Sequence, residues 1–255
     1  MFDRVVEVFD HAAREGRVGF SLQHVNSVAD VGIVLYSECL GRLVRTDGEI
    51  MTASEFIRYL EAAGRIAALD RHMLTLAFDW LARHPAGDLG CNISVESICD
   101  ERNRALLLDL LSTHRWMASR LVLELAESLP ITALPMAERF VRNVRDLGYR
   151  VAVDDFGTGF STPEALLSLP VDIVKIDGFF LRLGRADAER FLSHMVGLAS
   201  CVAPVVVVEG VETYAQFEAA QAAGATHVQG FLLSEPTLSP LFGGELRHAP
   251  NAMLC

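Results

Sequence analysis

The chain is poor in several things that would otherwise direct a reading of it. It has no apolar run approaching the ~20 residues that a membrane helix needs. The longest stretches, such as Val205 to Val208, are far shorter. The amino-terminal MFDRVVEVFDHAAREGR carries charge throughout and has no apolar h-region, so a secretory signal is not expected. Its five cysteines (Cys39, Cys91, Cys99, Cys201 and Cys255) form no CxxC pair and are odd in number. They read as reduced thiols, mostly buried small hydrophobes, in a cytoplasmic protein. Positive charge is also scarce: 22 Lys+Arg against 33 Asp+Glu leave a net charge of −11. A nucleic-acid polymer is thereby disfavoured as a partner, because replacing phosphate counterions takes a basic face. A small phosphorylated ligand stays open if metal ions bring the positive charge. Nucleotide and hydrolase signatures are missing as well. Gly157-Thr158-Gly159 continues into Phe160-Ser161-Thr162, so there is no GxGxxG, and GxxxxGK[ST], HExxH and GxSxG do not occur.

What remains is an ordinary globular mixture, with 51% hydrophobic and 22% charged residues over 255 positions. No low-complexity segment or linker divides it, so residues 1–255 read as one domain with a core over about 5–240. Short β-branched apolar runs alternate with segments of helical period. The candidate strands are 19–25, 32–40, 89–95, 120–126, 150–155, 173–177, 205–209 and 227–232. Thr52-Ala53-Ser54-Glu55 has capping-box spacing and opens a helix that Gly64 stops. Further helices are expected over 69–81, 103–114, 135–147, 163–167, 186–201 and 214–223, with Gly148 and Gly224 in C′ positions before strands. This repeated alternation predicts an α/β fold of the (β/α)8 barrel type, with an open doubly wound sheet as its rival.

The carboxylates and amides fall at the strand ends, where barrels build their sites. Glu38 ends the second strand and Asn92 lies on the third. Glu124 and Glu127 end the fourth, Asp154 and Asp155 the fifth, Lys175 and Asp177 the sixth, Glu209 and Glu212 the seventh, and Gln229 the eighth. Any one alone reads more readily as a solvated loop acid. Seven strands delivering such a residue to one rim do not. Crowded like charges in a low-dielectric rim repel strongly, and a divalent metal relieves that. Oxygen ligands without His or Cys favour Mg²⁺ or Mn²⁺ over Zn²⁺. The pair Asp154–Asp155 is a natural centre for two ions, provided the strand stops there and Phe156-Gly157-Thr158-Gly159 makes the turn. Two ions so placed activate water and stabilise the leaving oxygen of a phosphodiester.

These residues resemble the EAL-domain family of cyclic di-GMP phosphodiesterases, over about residues 5–240. The matching blocks, in family order, are Glu38-Cys39-Leu40-Gly41-Arg42, Asn92-Ile93-Ser94, Glu124-Leu125-Ala126-Glu127, Asp154-Asp155-Phe156-Gly157-Thr158-Gly159-Phe160-Ser161, Lys175-Ile176-Asp177, Glu209-Gly210-Val211-Glu212 and Gln229-Gly230. The resemblance implies a modified TIM barrel with one antiparallel strand and hydrolysis of one phosphodiester bond of cyclic di-GMP to linear pGpG. It also implies two Mg²⁺ or Mn²⁺ ions held by Glu38, Asn92, Glu124, Asp154 and Asp155, with Asp154 bridging. Lys175 would then orient or activate water, Glu209 would act as general base or further ligand, and Glu127 would anchor the loop after Asp155. Gln23, Leu40, Arg42, Asp177, Glu212 and Gln229 would meet the substrate, Arg42 by gripping a phosphate. Cys39 replaces the motif alanine, and alternation turns it away from the site. Gln23-His24-Val25 stands where the family reads Gln-Pro-Ile. The alternative role is a non-catalytic cyclic di-GMP receptor or protein-interaction module. Degenerate members lose the motif glutamate, the paired aspartates or the lysine, all of which are present here. Monomer and homodimer are both compatible with the sequence.

Overall fold

The computed structural model of the chain describes residues 2–126, 131–157, 167–182, 185–236 and 241–242. Eight strands close into a barrel, which settles the choice against an open sheet. β1 (Val18–Ser27) and β2 (Val34–Val44) form a long antiparallel ribbon. From β2 the order runs in parallel through β4 (Leu89–Ile93), β5 (Leu121–Ala126), β6 (Arg150–Phe156), β7 (Ile173–Ile176), β8 (Val205–Val208) and β9 (His227–Gln229). β9 then pairs antiparallel with β1, so β1 is the strand that opposes both its barrel neighbours. β3 (Ile50–Thr52) extends the free end of β2, and β10 (Leu241–Phe242) lies beside β1.

Helices wrap the outside. α1 is Phe2–Arg14, α2 Ala53–Ala62, α3 Ile66–Arg83, α4 Val95–Cys99, α5 Glu101–Thr113, α6 Leu134–Asp146, α7 Phe179–Arg182, α8 Arg185–Ser200 and α9 Tyr214–Ala222. α2 starts as expected: the Glu55 carboxylate accepts the Thr52 N–H at 2.7 Å. The C′ positions Gly148 and Gly224 have φ of 99° and 92°, a region that favours glycine. Outward-facing Leu123, Leu125, Val151, Val153, Val174, Ile176, Val206 and Val208 pack with Phe78, Phe140 and Leu192 of the helices in the main core.

Several boundaries differ from expectation, as in β1 and α3, and three do so for evident local reasons. The strand at Leu89 ends at Ile93 instead of Val95, because the Ser94 hydroxyl accepts the Ser97 N–H and starts α4. β2 runs on to Val44 because the hairpin with β3 pairs its end. β9 stops at Gln229, where the backbone turns. The helix expected over 163–167 falls almost wholly outside the described residues.

Inside the barrel a small apolar layer of Val25, Tyr36, Val122, Ala152, Ile173 and Val207 fills the lumen. Two residues nearer the rim, which is back along the antiparallel β1 and onward along the others, the same inward face carries Gln23, Glu38, Glu124, Asp154, Lys175 and Glu209. That spacing follows from the two-residue period of a strand.

Candidate active site

The upper layer converges on one ammonium. Lys175 Nζ lies 3.0 Å from Glu38 Oε2, 2.7 Å from Glu124 Oε2, 2.7 Å from Asp154 Oδ1 and 2.9 Å from Glu209 Oε1. Its side chain is wholly buried, and it is the single lysine of the chain. Amides complete the shell: Asn92 Nδ2 donates to Glu38 Oε1 at 2.9 Å, and Gln229 Nε2 donates to Glu38 Oε2 at 2.7 Å and Gln23 Oε1 at 3.2 Å. Gln23 in turn donates to the Ser234 carbonyl at 2.9 Å.

These contacts pull the acidities apart. Burial alone would push the Glu38 carboxyl up, but Lys175 and the two amide donors outweigh it and hold it below the usual range. Glu124 has no such donors; burial raises it to about 8, against the pull of Lys175. Its Oε1 is buried without a hydrogen-bond partner among the described residues. Burial likewise pushes Asp154 up and Glu209 well up. Burial would lower Lys175, yet the carboxylates around it, Asp154 foremost, hold it well above an ordinary lysine. Asp155 rises to about 6 through burial and the nearby charges of Asp154 and Asp177. The acids outnumber the one ammonium, and burial favours the protonated form of Glu124, Asp154, Asp155 and Glu209 but not of Glu38.

The paired aspartates meet in an unexpected way. β6 does not stop at Asp155; it continues to Phe156, and its register against β7 shifts between Val153 and Phe156. Asp155 takes φ of 57° there, among the described residues the one non-glycine in the left-handed region. This kink, and not a strand end, departs from strict alternation and brings Asp155 to the same acidic group as Asp154.

One oxygen each from Glu38, Glu124 and Asp154 lie within 4.8 Å of one another, and so do oxygens of Asp154, Asp155 and Glu209. Asp154 belongs to both groups. An all-oxygen donor set, excess negative charge and proton-holding carboxyls fit a hard divalent cation, which would replace those protons. A cavity of about 380 Å³ lies over the acids, lined by Gln23, Leu40, Asp154, Glu209, Glu212 and Phe231 among others. A second, apolar one of about 320 Å³ lies between the strands and α2 and α3 and is lined by Cys39, Ile57, Leu69, Met73 and Cys91. Leu40 and Asp155 line both.

Other expected residues sit at or beyond the margin. Arg42 lines neither of these cavities; its guanidinium donates to the Gly41 carbonyl at 2.9 Å. The Asp177 carboxylate accepts the Phe179 N–H and lies 3.6 Å from Arg182, so it caps α7. Glu127 lies outside the described residues. Cys39 is buried on the outer face of β2, as alternation requires. Among the described cysteines, however, only Cys39 and Cys91 are buried; Cys99 is half-buried and Cys201 exposed.

Three contributors escaped the sequence reading: Asp70, Tyr36 and Phe231. Asp70, the lone acid on the apolar face of α3, accepts from Ser94 N at 2.8 Å and Ser97 Oγ at 2.7 Å. It thereby steadies the turn that follows Asn92. An acid in the run Ile66-Ala67-Ala68-Leu69-Asp70 was the available signal. Tyr36 and Phe231 look like ordinary aromatics in the sequence.

Known proteins resemble this chain in sequence and fold. PdeB of Escherichia coli (strain K12), named a probable cyclic di-GMP phosphodiesterase, is 30% identical over 220 residues, covering 84% of this chain and 41% of its own length. PdeL of the same organism, named a cyclic di-GMP phosphodiesterase, is 30% identical over 215 residues, covering 82% and 59%. The chain thus spans about two- to three-fifths of the length of these curated relatives. Among solved structures, the PaMucR phosphodiesterase in complex with c-di-GMP superposes with a TM-score of 0.81 at 25% identity, covering 91% of this chain and 97% of that one. The FimX EAL domain from Pseudomonas aeruginosa bound to c-di-GMP gives 0.82 at 25% identity, covering 91% and 96%. The EAL domain family model matches residues 8–236. A match over nearly the whole barrel, with relatives at 30% identity, is decisive: the chain belongs to the EAL domain family.

Proposed function

We propose that this chain is a metal-dependent phosphodiesterase that opens cyclic di-GMP to linear pGpG. The observation that carries this reading is the pair of overlapping carboxylate groups sharing Asp154, set around Lys175 beneath an open cavity. Glu38, Asn92, Glu124 and Asp154 would hold one Mg²⁺ or Mn²⁺, and Asp154 and Asp155 a second, with Glu209 beside it. When bound, such ions supply a water of lowered pKa and positive charge for the leaving oxygen.

The chain's own groups do the rest. Glu209, at the edge of the cavity beside Asp154 and Asp155, accepts the proton of the attacking water. The water oxygen bonds to phosphorus, the bond from phosphorus to O3′ breaks, and that oxygen takes up a proton from solvent as it leaves, while Glu209 later returns its proton to solvent. Lys175 holds Glu38, Glu124 and Asp154 in one orientation and balances their charge. Gln229 and Gln23 fix the far side of Glu38. Leu40, Glu212 and Phe231 offer walls for the nucleotide, and Arg42, by turning from the Gly41 carbonyl, a bidentate grip on its phosphate. Asp177, next to Asp155, and Glu127 complete the assigned set. The site of action is the cytoplasm, where this nucleotide signal acts; no described helix is long and apolar enough to cross a membrane.

Purified protein incubated with cyclic di-GMP and Mn²⁺, followed by nucleotide chromatography, tests this directly. Conversion to pGpG is expected. Binding of the nucleotide without cleavage at saturating Mn²⁺ and Mg²⁺ would overturn the enzymatic reading and make the chain a receptor.

A further inference from the structure

Tyr36 stands one layer below the carboxylates, in a lumen otherwise filled by Val25, Val122, Ala152, Ile173 and Val207. It is 1% exposed. Its ring lies against β4 at Gly90, where there is no side chain. A Cβ built at Gly90 would sit 2.5 Å from Tyr36 Cε2 and 2.1 Å from Glu124 Oε1. The ring edge and the carboxylate oxygen thus converge on the space that glycine leaves.

Both polar ends are unmet. The Tyr36 hydroxyl and Glu124 Oε1 are buried without a hydrogen-bond partner among the described residues, while Glu124 Oε2 accepts from Lys175 at 2.7 Å. Buried polar groups are nearly always paired, and an apolar layer would be filled more stably by phenylalanine. One of the two orphans is a donor and the other an acceptor, so each has what the other lacks.

We propose that Tyr36 is the positioning residue of Glu124: its hydroxyl donates to Oε1 and, with Lys175 on Oε2, fixes the plane of that carboxylate for a divalent cation. The pair meets by a side-chain adjustment when a cation binds; without one the hydroxyl and Oε1 stay apart. The inference rests on the reading of Glu124 as a metal ligand. Groups that orient a ligating side chain typically change metal affinity 10–100-fold when removed.

The test is Tyr36→Phe in the full chain, with Mn²⁺ alone as the probe. Calorimetric titration is expected to show Mn²⁺ affinity lowered about 10-fold or more. The metal-free melting temperature is expected to hold or rise, because an unpaired hydroxyl is removed from an apolar layer. In wild type, the infrared tyrosine C–O band is expected to shift on Mn²⁺ addition, and this readout stands even if the variant does not fold. Unchanged affinity in a folded variant, or a wild-type band that does not move, overturns the proposal. A lower metal-free melting temperature with affinity intact would make the hydroxyl merely structural and overturn it too. A wild type that binds no Mn²⁺ would instead bring down the metal reading itself.

Discussion

The two inner layers of the barrel are made by the same strands two residues apart, and they are chemical opposites. Val25, Val122, Ala152, Ile173 and Val207 form a floor with no charge, and Gln23, Glu124, Asp154, Lys175 and Glu209 stand on it. The floor does more than fill space. It keeps water from beneath the acids, so their interactions with Lys175 operate in a weakly screening medium. One step along a pleated strand therefore separates a plug from a reactive rim. Where the two layers touch, at Tyr36 and Gly90, the division is least clean.

Substitutions can break that contrast from either side. The largest effect is expected from Lys175→Met, which leaves Glu38, Glu124, Asp154 and Glu209 without their cation. Removing one partner of a buried ion pair destabilises by about 3–5 kcal/mol. Denaturant unfolding without metal at pH 7 should show such a loss, and an unchanged stability would mean that the upper layer is not held by charge.

Asp154→Ala should lower turnover of cyclic di-GMP at least ~100-fold, as removal of a main electrostatic contributor does. It should also abolish metal-induced stabilisation, which for wild type amounts to about 2.7 kcal/mol at a hundredfold excess over Kd. That corresponds to roughly 2–4 °C in melting temperature per kcal/mol. The exposed Glu218→Ala should keep both properties. A metal shift that survives Asp154→Ala would place the ion elsewhere.

Gly90→Ala puts a methyl between the layers, against Glu124 and the Tyr36 ring. Overpacking of this kind costs about 1–3 kcal/mol, measurable by thermal unfolding; a neutral result would show that the layers are loosely joined.

Asp70→Asn gives the smallest effect and asks how an acid behaves with neutral hydrogen-bond donors instead of an ammonium. Burial raises Asp70 from 3.8 to about 6, against the donors Ser94 and Ser97. The folded state thus keeps a proton that the unfolded chain has released. The stability this contributes is full below about pH 4 and lost as pH rises through about 6. The amide keeps both accepted bonds but does not titrate, so the fall in metal-free melting temperature over that window should flatten. Asp155 near 6, Glu124 near 8 and the raised Asp154 and Glu209 leave some slope behind. An identical slope in both proteins would refute the assignment.

Much of this was legible in the sequence because strands have a period of two and acids are rare in apolar runs. Glu38, Glu124, Asp154, Lys175 and Glu209 each lie in a mostly apolar stretch, and the barrel gathers them as the alternation predicts. What escaped depends on contacts between distant segments or on a single backbone dihedral. Nothing in Val153-Asp154-Asp155-Phe156 announces that Asp155 adopts a left-handed conformation while the strand continues. Val95 reads as strand, yet the Ser94 cap makes it helix. Asp177 looks like a rim acid and also caps α7. Tyr36 matters only because Gly90, 54 positions away, leaves it room beside Glu124.

The lysine has a kinetic consequence. Being the sole one and fully buried on β7, it offers a protease that cuts only after lysine a single target, sealed inside the barrel. Cleavage of the native chain by such a protease requires β7 to leave the sheet, and no surface loop or frayed terminus supplies another lysyl bond. When cutting is fast relative to reclosure, the rate of appearance of two fragments is the rate at which the barrel comes apart.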